Sequence, residues 1–120
     1  MNNEESKKLF EDIAYSNIHR KGITRLMVWL SDHTDFYTAP ASTKYHGSYK
    51  GGLLDHSLEV YAEFLKIAPV FNYDMSNAIL KESATIVTLF HDVCKINTYE
   101  ESVRNVTGHT AARHLLSGCV

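Results

Sequence analysis

The 120-residue sequence has little of several features that mark specialised protein classes. It has two cysteines, Cys94 and Cys119, and no CxxC pair, so it predicts no disulfide framework and fits a reduced cytoplasm. Basic residues are not in excess: 12 Lys and Arg against 14 Asp and Glu give a formal net charge of -2. The totals therefore lack the charge footprint of a nucleic-acid-binding protein.

Long apolar runs are also missing. No window approaches the roughly 20 apolar residues of a membrane span. The acidic start at residues 1–5 has no apolar signal segment, and no Gly-rich phosphate loop or dinucleotide fingerprint occurs. We therefore expect a cytoplasmic protein with no membrane partner and no organic cofactor.

The composition is that of one soluble globular domain. Hydrophobic residues make up 44% and charged residues 22% of the chain, and 120 residues suffice for one core but not for two. We therefore predict that residues 1–120 form a single domain. The seven histidines are many beside the 12 Lys and Arg, although His19 and His33 are expected to be structural.

Apolar residues recur at intervals of three and four in four segments, which predicts an all-α fold. Between the second and third of these helices lies a loop of about 18 residues, a length typical of functional loops. A loop or short hairpin is predicted after the fourth helix, and a final helical stretch opens at Gly108. The predicted helices cover residues 3–16, 23–33, 53–68 and 77–91.

Two apolar helical segments contain metal-type ligands. His56 lies within the third predicted helix, and the pair His91-Asp92 ends the fourth. These polar groups are costly to desolvate, and a shared metal ion would satisfy all three. Imidazole and carboxylate ligands suit Fe, Mn, Co, Ni, Zn or Mg with open water positions. Because neighbouring helical residues diverge by about 100°, His91 and Asp92 can reach one ion only at a helix end.

These segments resemble the HD superfamily of metal-dependent phosphohydrolases, in which a histidine, a His-Asp pair and a closing aspartate lie on successive helices. His56 resembles the first histidine, and Leu-Phe-His-Asp-Val-Cys-Lys at residues 89–95 is similar to the segment around the pair. The resemblance covers residues 36–97. It implies an HD-domain bundle of about five helices that binds one or two divalent ions. It also implies hydrolysis of a phosphomonoester or phosphodiester of a nucleotide or oligonucleotide by metal-bound water.

The resemblance implies further site residues. His109, in Gly108-His109, would join a second ion, and His46 would contact a phosphate or that ion. Asp92, Lys95 and His46 would form the catalytic group. The implied substrate-binding residues are Lys44, His46, Lys95 and Arg113.

The sequence departs from the HD pattern because no aspartate follows Asp92. Glu100 and Glu101 are the only later carboxylates, so the domain is expected to be truncated at its C-terminal end. Apolar surface left around Leu115 and Leu116 would then favour a homodimer. Two functions stay open: a phosphohydrolase, or an impaired module that binds a nucleotide or a protein partner.

Overall fold

The computed structural model describes residues 1–43, 47–102 and 112–115, with residues 99–102 and 112–115 described by their backbone alone. Its helical elements are α1 (Asn3–Asn17), α2 (Ile23–His33), α3 (Gly52–Ile67) and α4 (Ala78–Phe90). Single 3-10 turns follow α3 at Ala68–Phe71 and α4 at Val93–Lys95. The short strands β1 (Tyr99–Ser102) and β2 (Ala112–Leu115) form an antiparallel pair. The predicted all-α class is confirmed, and the four predicted helices begin and end within one residue of the observed bounds.

Residues at the helix starts explain these bounds. The Asn2 side chain accepts a hydrogen bond from the Glu5 backbone N–H, and the Glu5 carboxylate accepts one from the Asn2 N–H, which forms a capping box before α1. The glycines before α2 and α3, Gly22 and Gly51, have φ angles of 99° and 87°. Only glycine adopts this left-handed region at little cost, so both turns depend on it.

The core lies between the four helices and the loop of residues 34–51. Phe10 of α1 is 0% exposed. Its ring centroid is 5.0 Å from that of Phe36 and 5.7 Å from that of Phe90. The other fully or nearly buried apolar members of this cluster include Ala14, Ile18, Met27, Leu30, Tyr37, Ala39, Leu53, Leu54, Leu58 and Leu89. One aromatic cluster therefore joins α1, the loop and the end of α4.

The loop of residues 34–51 packs closely against the start of α3. The Leu53 N–H donates to the Ala39 carbonyl oxygen at 2.9 Å, and the Ala41 N–H donates to the Gly47 carbonyl oxygen at 2.8 Å. The predicted loop is confirmed at its described residues, 34–43 and 47–51, but Phe36 and Tyr37 within it belong to the core. The loop therefore fixes the position of α3.

The prediction after α4 was partly wrong. A helix was expected from Gly108, yet residues 112–115 form β2, whose backbone pairs with β1. A hairpin was expected within residues 96–107. Its first strand, β1, lies in this range, but its second strand, β2, lies after it. Strand pairing with β1 overrides the helical spacing of Ala112 and Leu115. The expected homodimer depended on a final helix that carries Leu115 and Leu116. Leu115 lies in β2 instead, so this argument for a dimer no longer holds. Leu116 and Gly108 lie outside the described residues.

In the described part of the chain, no helix has both the length and the apolar content needed to cross a membrane.

Asn77 caps α4, the helix that leads to the His-Asp pair. Its side-chain oxygen accepts hydrogen bonds from the Ile79 and Leu80 N–H groups at 3.0 and 3.1 Å. Asn77→Ala should lower the free energy of unfolding by about 1 kcal/mol, because two helical N–H groups lose their partner. Urea denaturation measures this loss. Asn77→Asp keeps an acceptor and should cost little, so equal losses in both variants would contradict the capping role.

Candidate metal centre

Three predicted ligands come together in the structure. The His56 Nε2 atom lies 3.2 Å from the His91 Nε2 atom and 3.2 Å from the Asp92 Oδ2 atom. The His91 Nε2 atom lies 3.4 Å from the same Asp92 oxygen. The three side chains are 29%, 28% and 21% exposed, so the cluster is shielded but open on one side. It is the one group of this kind found among the described residues.

The two helices position these atoms in different ways. His56 lies in the first half of α3, directly before the buried Ser57 and Leu58. His91 follows Phe90 as the last residue with helical backbone angles. Asp92 then leaves the helix, with φ -109° and ψ 17°. This change of backbone turns the Asp92 carboxylate towards the two imidazoles, and Asp92 lies at a helix end as predicted.

The His91 ring is oriented by α4 itself. Its Nδ1 atom lies 2.9 Å from the Thr88 carbonyl oxygen, an acceptor, so Nδ1 carries the proton and donates. In the neutral imidazole, Nε2 then presents its lone pair to the cluster. A backbone carbonyl that fixes the tautomer in this way is typical of metal-ligating histidines.

The electrostatics of His56 also favour ligation. Burial lowers the pKa of its imidazole below the ordinary value; the Asp92 carboxylate acts in the opposite direction, and His91 and Lys95 lower the pKa further. A lowered pKa keeps the imidazole neutral at pH 7. The neutral form is the one that binds a metal ion.

The distances fit an ion bound by all three atoms. With metal–ligand bonds of about 2.1 Å, neighbouring ligands are about 3.0 Å apart in an octahedron and about 3.4 Å apart in a tetrahedron. The observed separations of 3.2, 3.2 and 3.4 Å lie in this range. Three ligands leave further positions on the open side for water or another oxygen ligand.

Lys95 lies at the cluster. Its Nζ atom is 3.2 Å from the Asp92 Oδ2 atom, the oxygen that also faces both histidines. The sequence had assigned Lys95 to a substrate phosphate. In the structure it neutralises Asp92, and a bound metal ion would share that carboxylate with it.

Several predicted site residues cannot be compared with this geometry. Lys44, His46 and His109 lie outside the described residues. Arg113 is placed in β2 opposite Glu101, and nothing is described of its side chain. Their assigned roles, and a second metal ion, stay predictions.

The structure adds two features that the sequence interpretation did not include. Asp35 and Asn97 exchange hydrogen bonds, with the Asn97 N–H donating to the Asp35 carboxylate at 2.6 Å and the Asp35 N–H donating to the Asn97 side-chain oxygen at 3.2 Å. This pair fastens the segment after Asp92 to the loop. A cavity of about 350 Å³ also opens beside His56, with Phe64 and Thr88 in its wall. Neither feature has a local sequence signal, because both join distant segments.

A family model, TraI_2, described as "Putative helicase", matches residues 6–108. No curated protein and no solved structure matches the chain.

This match corrects the identification made from the sequence. The matched family is described as a helicase, not as an HD phosphohydrolase, so the assignment to the HD superfamily and its phosphoester hydrolysis is overturned. The alternative of an impaired HD module has no better support. The cluster of His56, His91 and Asp92 is independent of that assignment, because it rests on distances in the structure.

Proposed function

The chain belongs to the TraI_2 family, and from this premise and the cluster geometry we propose that it is a divalent-metal-binding domain of a protein that acts on nucleic acid. The observation that carries the proposal is the convergence of two imidazole nitrogens and one carboxylate oxygen at metal-ligand spacing. The nucleic-acid partner follows from the helicase description of the family.

The ion would supply a positive charge that the chain as a whole lacks. The formal net charge is -2, so attraction for a polyanion must come from local sites. A metal ion with open positions can bind a phosphate oxygen directly. Lys95, already beside Asp92, would add a second positive charge close to that phosphate.

Nothing in the sequence indicates that these residues separate nucleic-acid strands with energy from ATP. The 120 residues contain no Gly-x4-Gly-Lys-Ser/Thr segment, the loop that holds nucleotide phosphates in ATP-dependent motors. The proposed contribution of this chain is therefore metal binding and phosphate contact.

Metal titration of variants tests the proposal. Isothermal titration calorimetry with Mn²⁺ should show one site on the parent protein. His91→Ala should weaken binding more than about 100-fold, because loss of an outer hydrogen-bond partner alone costs up to that much. His19→Ala removes an exposed histidine outside the cluster and should bind Mn²⁺ like the parent. Equal Mn²⁺ binding by His91→Ala and the parent would overturn the assignment.

The phosphate contact requires its own measurement. Fluorescence anisotropy of a labelled oligonucleotide, with Mn²⁺ and then with excess EDTA, should show tighter binding when the metal is present. His91→Ala should remove this metal dependence. Mn²⁺ binding without any effect on the oligonucleotide would leave the metal site intact and contradict the phosphate contact.

A further inference from the structure

A second surface, which shares no residue with the metal cluster, lies along α2. It is a groove of about 840 Å³, within the size range of ligand pockets. The chain entering α2 and one side of that helix form its walls. The lining residues that carry a polar group on the side chain are Arg20, Lys21, Thr24, Arg25, Trp29 and His33.

One stripe of α2 carries an aromatic ring between basic groups. Arg25, Trp29 and His33 are spaced by four residues, so they lie on one face of the helix with a rise of about 6 Å between neighbours. Trp29, the single tryptophan of the chain, is 45% exposed. Met27 and Leu30 are the buried residues of α2, so they anchor the helix in the core. The indole of Trp29 is therefore available to a ligand.

All the charged side chains that line this groove are positive. Arg20, Lys21 and Arg25 are exposed, and none of the lining residues, all within the described part of the chain, is acidic. Arg20 pairs through its Nε atom with Glu82 at 3.1 Å, but its side chain remains 60% exposed. Its other guanidinium nitrogens can therefore reach a ligand. In a chain of net charge -2, this clustering of cations fits an anionic partner.

We propose that the α2 groove binds a single-stranded nucleic acid. Cations that follow a phosphate backbone, together with an aromatic ring on which a base stacks, are the two components of single-strand binding. In a duplex the base faces are stacked and not open to an indole. The inference rests on the nucleic-acid partner of the proposed function but not on the metal ion.

Trp29 provides a local readout. Its fluorescence in the full chain should be quenched on titration with (dT)12 at low salt in the presence of EDTA, which removes the metal site from the measurement. Arg25→Gln should weaken binding several-fold and reduce the salt dependence by about one phosphate contact. Lys8→Gln removes the same charge from an exposed position of α1 outside the groove and serves as the matched control.

Stacking is tested with labelled (dT)12 and anisotropy. Trp29→Ala should weaken binding about tenfold or more, and Trp29→Phe should retain most of it, since a phenyl ring still stacks. Circular dichroism confirms that each variant is folded. The parent protein should bind (dT)12 in EDTA, where no metal ion is bound, so failure of the metal site and failure of the groove are distinguishable.

Four results would overturn the inference. These are no quenching by (dT)12 at low salt, equal losses in Arg25→Gln and Lys8→Gln, equal or tighter binding of duplex DNA, and unchanged affinity in Trp29→Ala. The last result would indicate a groove for another kind of partner, such as an acidic peptide.

Discussion

Replacing Gly52 with alanine should destabilise the protein by about 3 kcal/mol, near the upper end of the usual cost of overpacking. A Cβ atom at this position would lie 1.9 Å from the Gly47 carbonyl oxygen. That oxygen is backbone and already accepts the Ala41 N–H, so it cannot move without disturbing the loop. Because Gly52 begins α3, the displacement would extend to His56, and Mn²⁺ affinity should fall together with stability.

Gly22→Ala is the matched control for this clash. Gly22 lies at the start of a helix, directly before α2, and has a φ of 99°, but a Cβ atom there meets nothing within 4 Å. Its expected cost is the backbone strain alone, about 1–2 kcal/mol, with Mn²⁺ affinity unchanged. Urea denaturation and calorimetry on both variants make the comparison. A Gly52→Ala protein as stable as Gly22→Ala, with parental Mn²⁺ affinity, would refute the close packing of loop and helix.

Phe10→Ala should lower the free energy of unfolding by about 3–5 kcal/mol, the usual cost of removing a buried phenyl ring. Phe10 is 0% exposed and contacts Phe36 and Phe90. Typical domains have only about 5–15 kcal/mol in total, so this loss is a large fraction. Phe90 directly precedes His91, so the cavity should also loosen the end of α4 and weaken metal binding.

Tyr15→Ala is the comparison for Phe10→Ala. Tyr15 is an aromatic residue of the same helix but is 43% exposed. Its replacement should change stability by about 0.5 kcal/mol or less. Thermal and urea denaturation of the two variants, with and without saturating Mn²⁺, measure both effects. Similar losses at the two positions would contradict the central place of Phe10 in the core.

The helices were predictable from sequence because local signals specify them. Apolar spacing defined all four, and the glycines before α2 and α3 marked where two of them begin. The cluster of His56, His91 and Asp92 was predictable for a related reason, since a histidine and a His-Asp pair within apolar helices must meet partners in the core. The helix-end argument for Asp92 required only the geometry of the α-helix.

Other features depend on contacts that no local pattern shows. The spacing of Ala112 and Leu115 suits a helix, but pairing with β1 decides their conformation. Phe36 and Tyr37 lie in a segment without periodicity, so their place in the core could not be inferred. The positive charge of Lys95 suggested a contact with a phosphate. Its contact with Asp92 could be recognised only from the three-dimensional arrangement.

The family could not be inferred from the site motif. The same residue types at the same spacing suggested an HD phosphohydrolase, while the match over residues 6–108 is to a family described as a helicase. A metal-ligand motif reports local chemistry, and that chemistry can serve different functions in different proteins. The sequence analysis did not identify the α2 groove, because the net charge of the whole chain, -2, conceals a local group of cations.

The most direct test of the metal centre is anomalous diffraction from crystals of the protein soaked in Mn²⁺. One peak should lie about 2.0–2.3 Å from the His56 Nε2, His91 Nε2 and Asp92 Oδ2 atoms, with further density for oxygen ligands on the open side. Data collected on both sides of the manganese absorption edge identify the element. A peak at other residues, or none here at Mn²⁺ concentrations that saturate the protein in solution, would contradict the assignment.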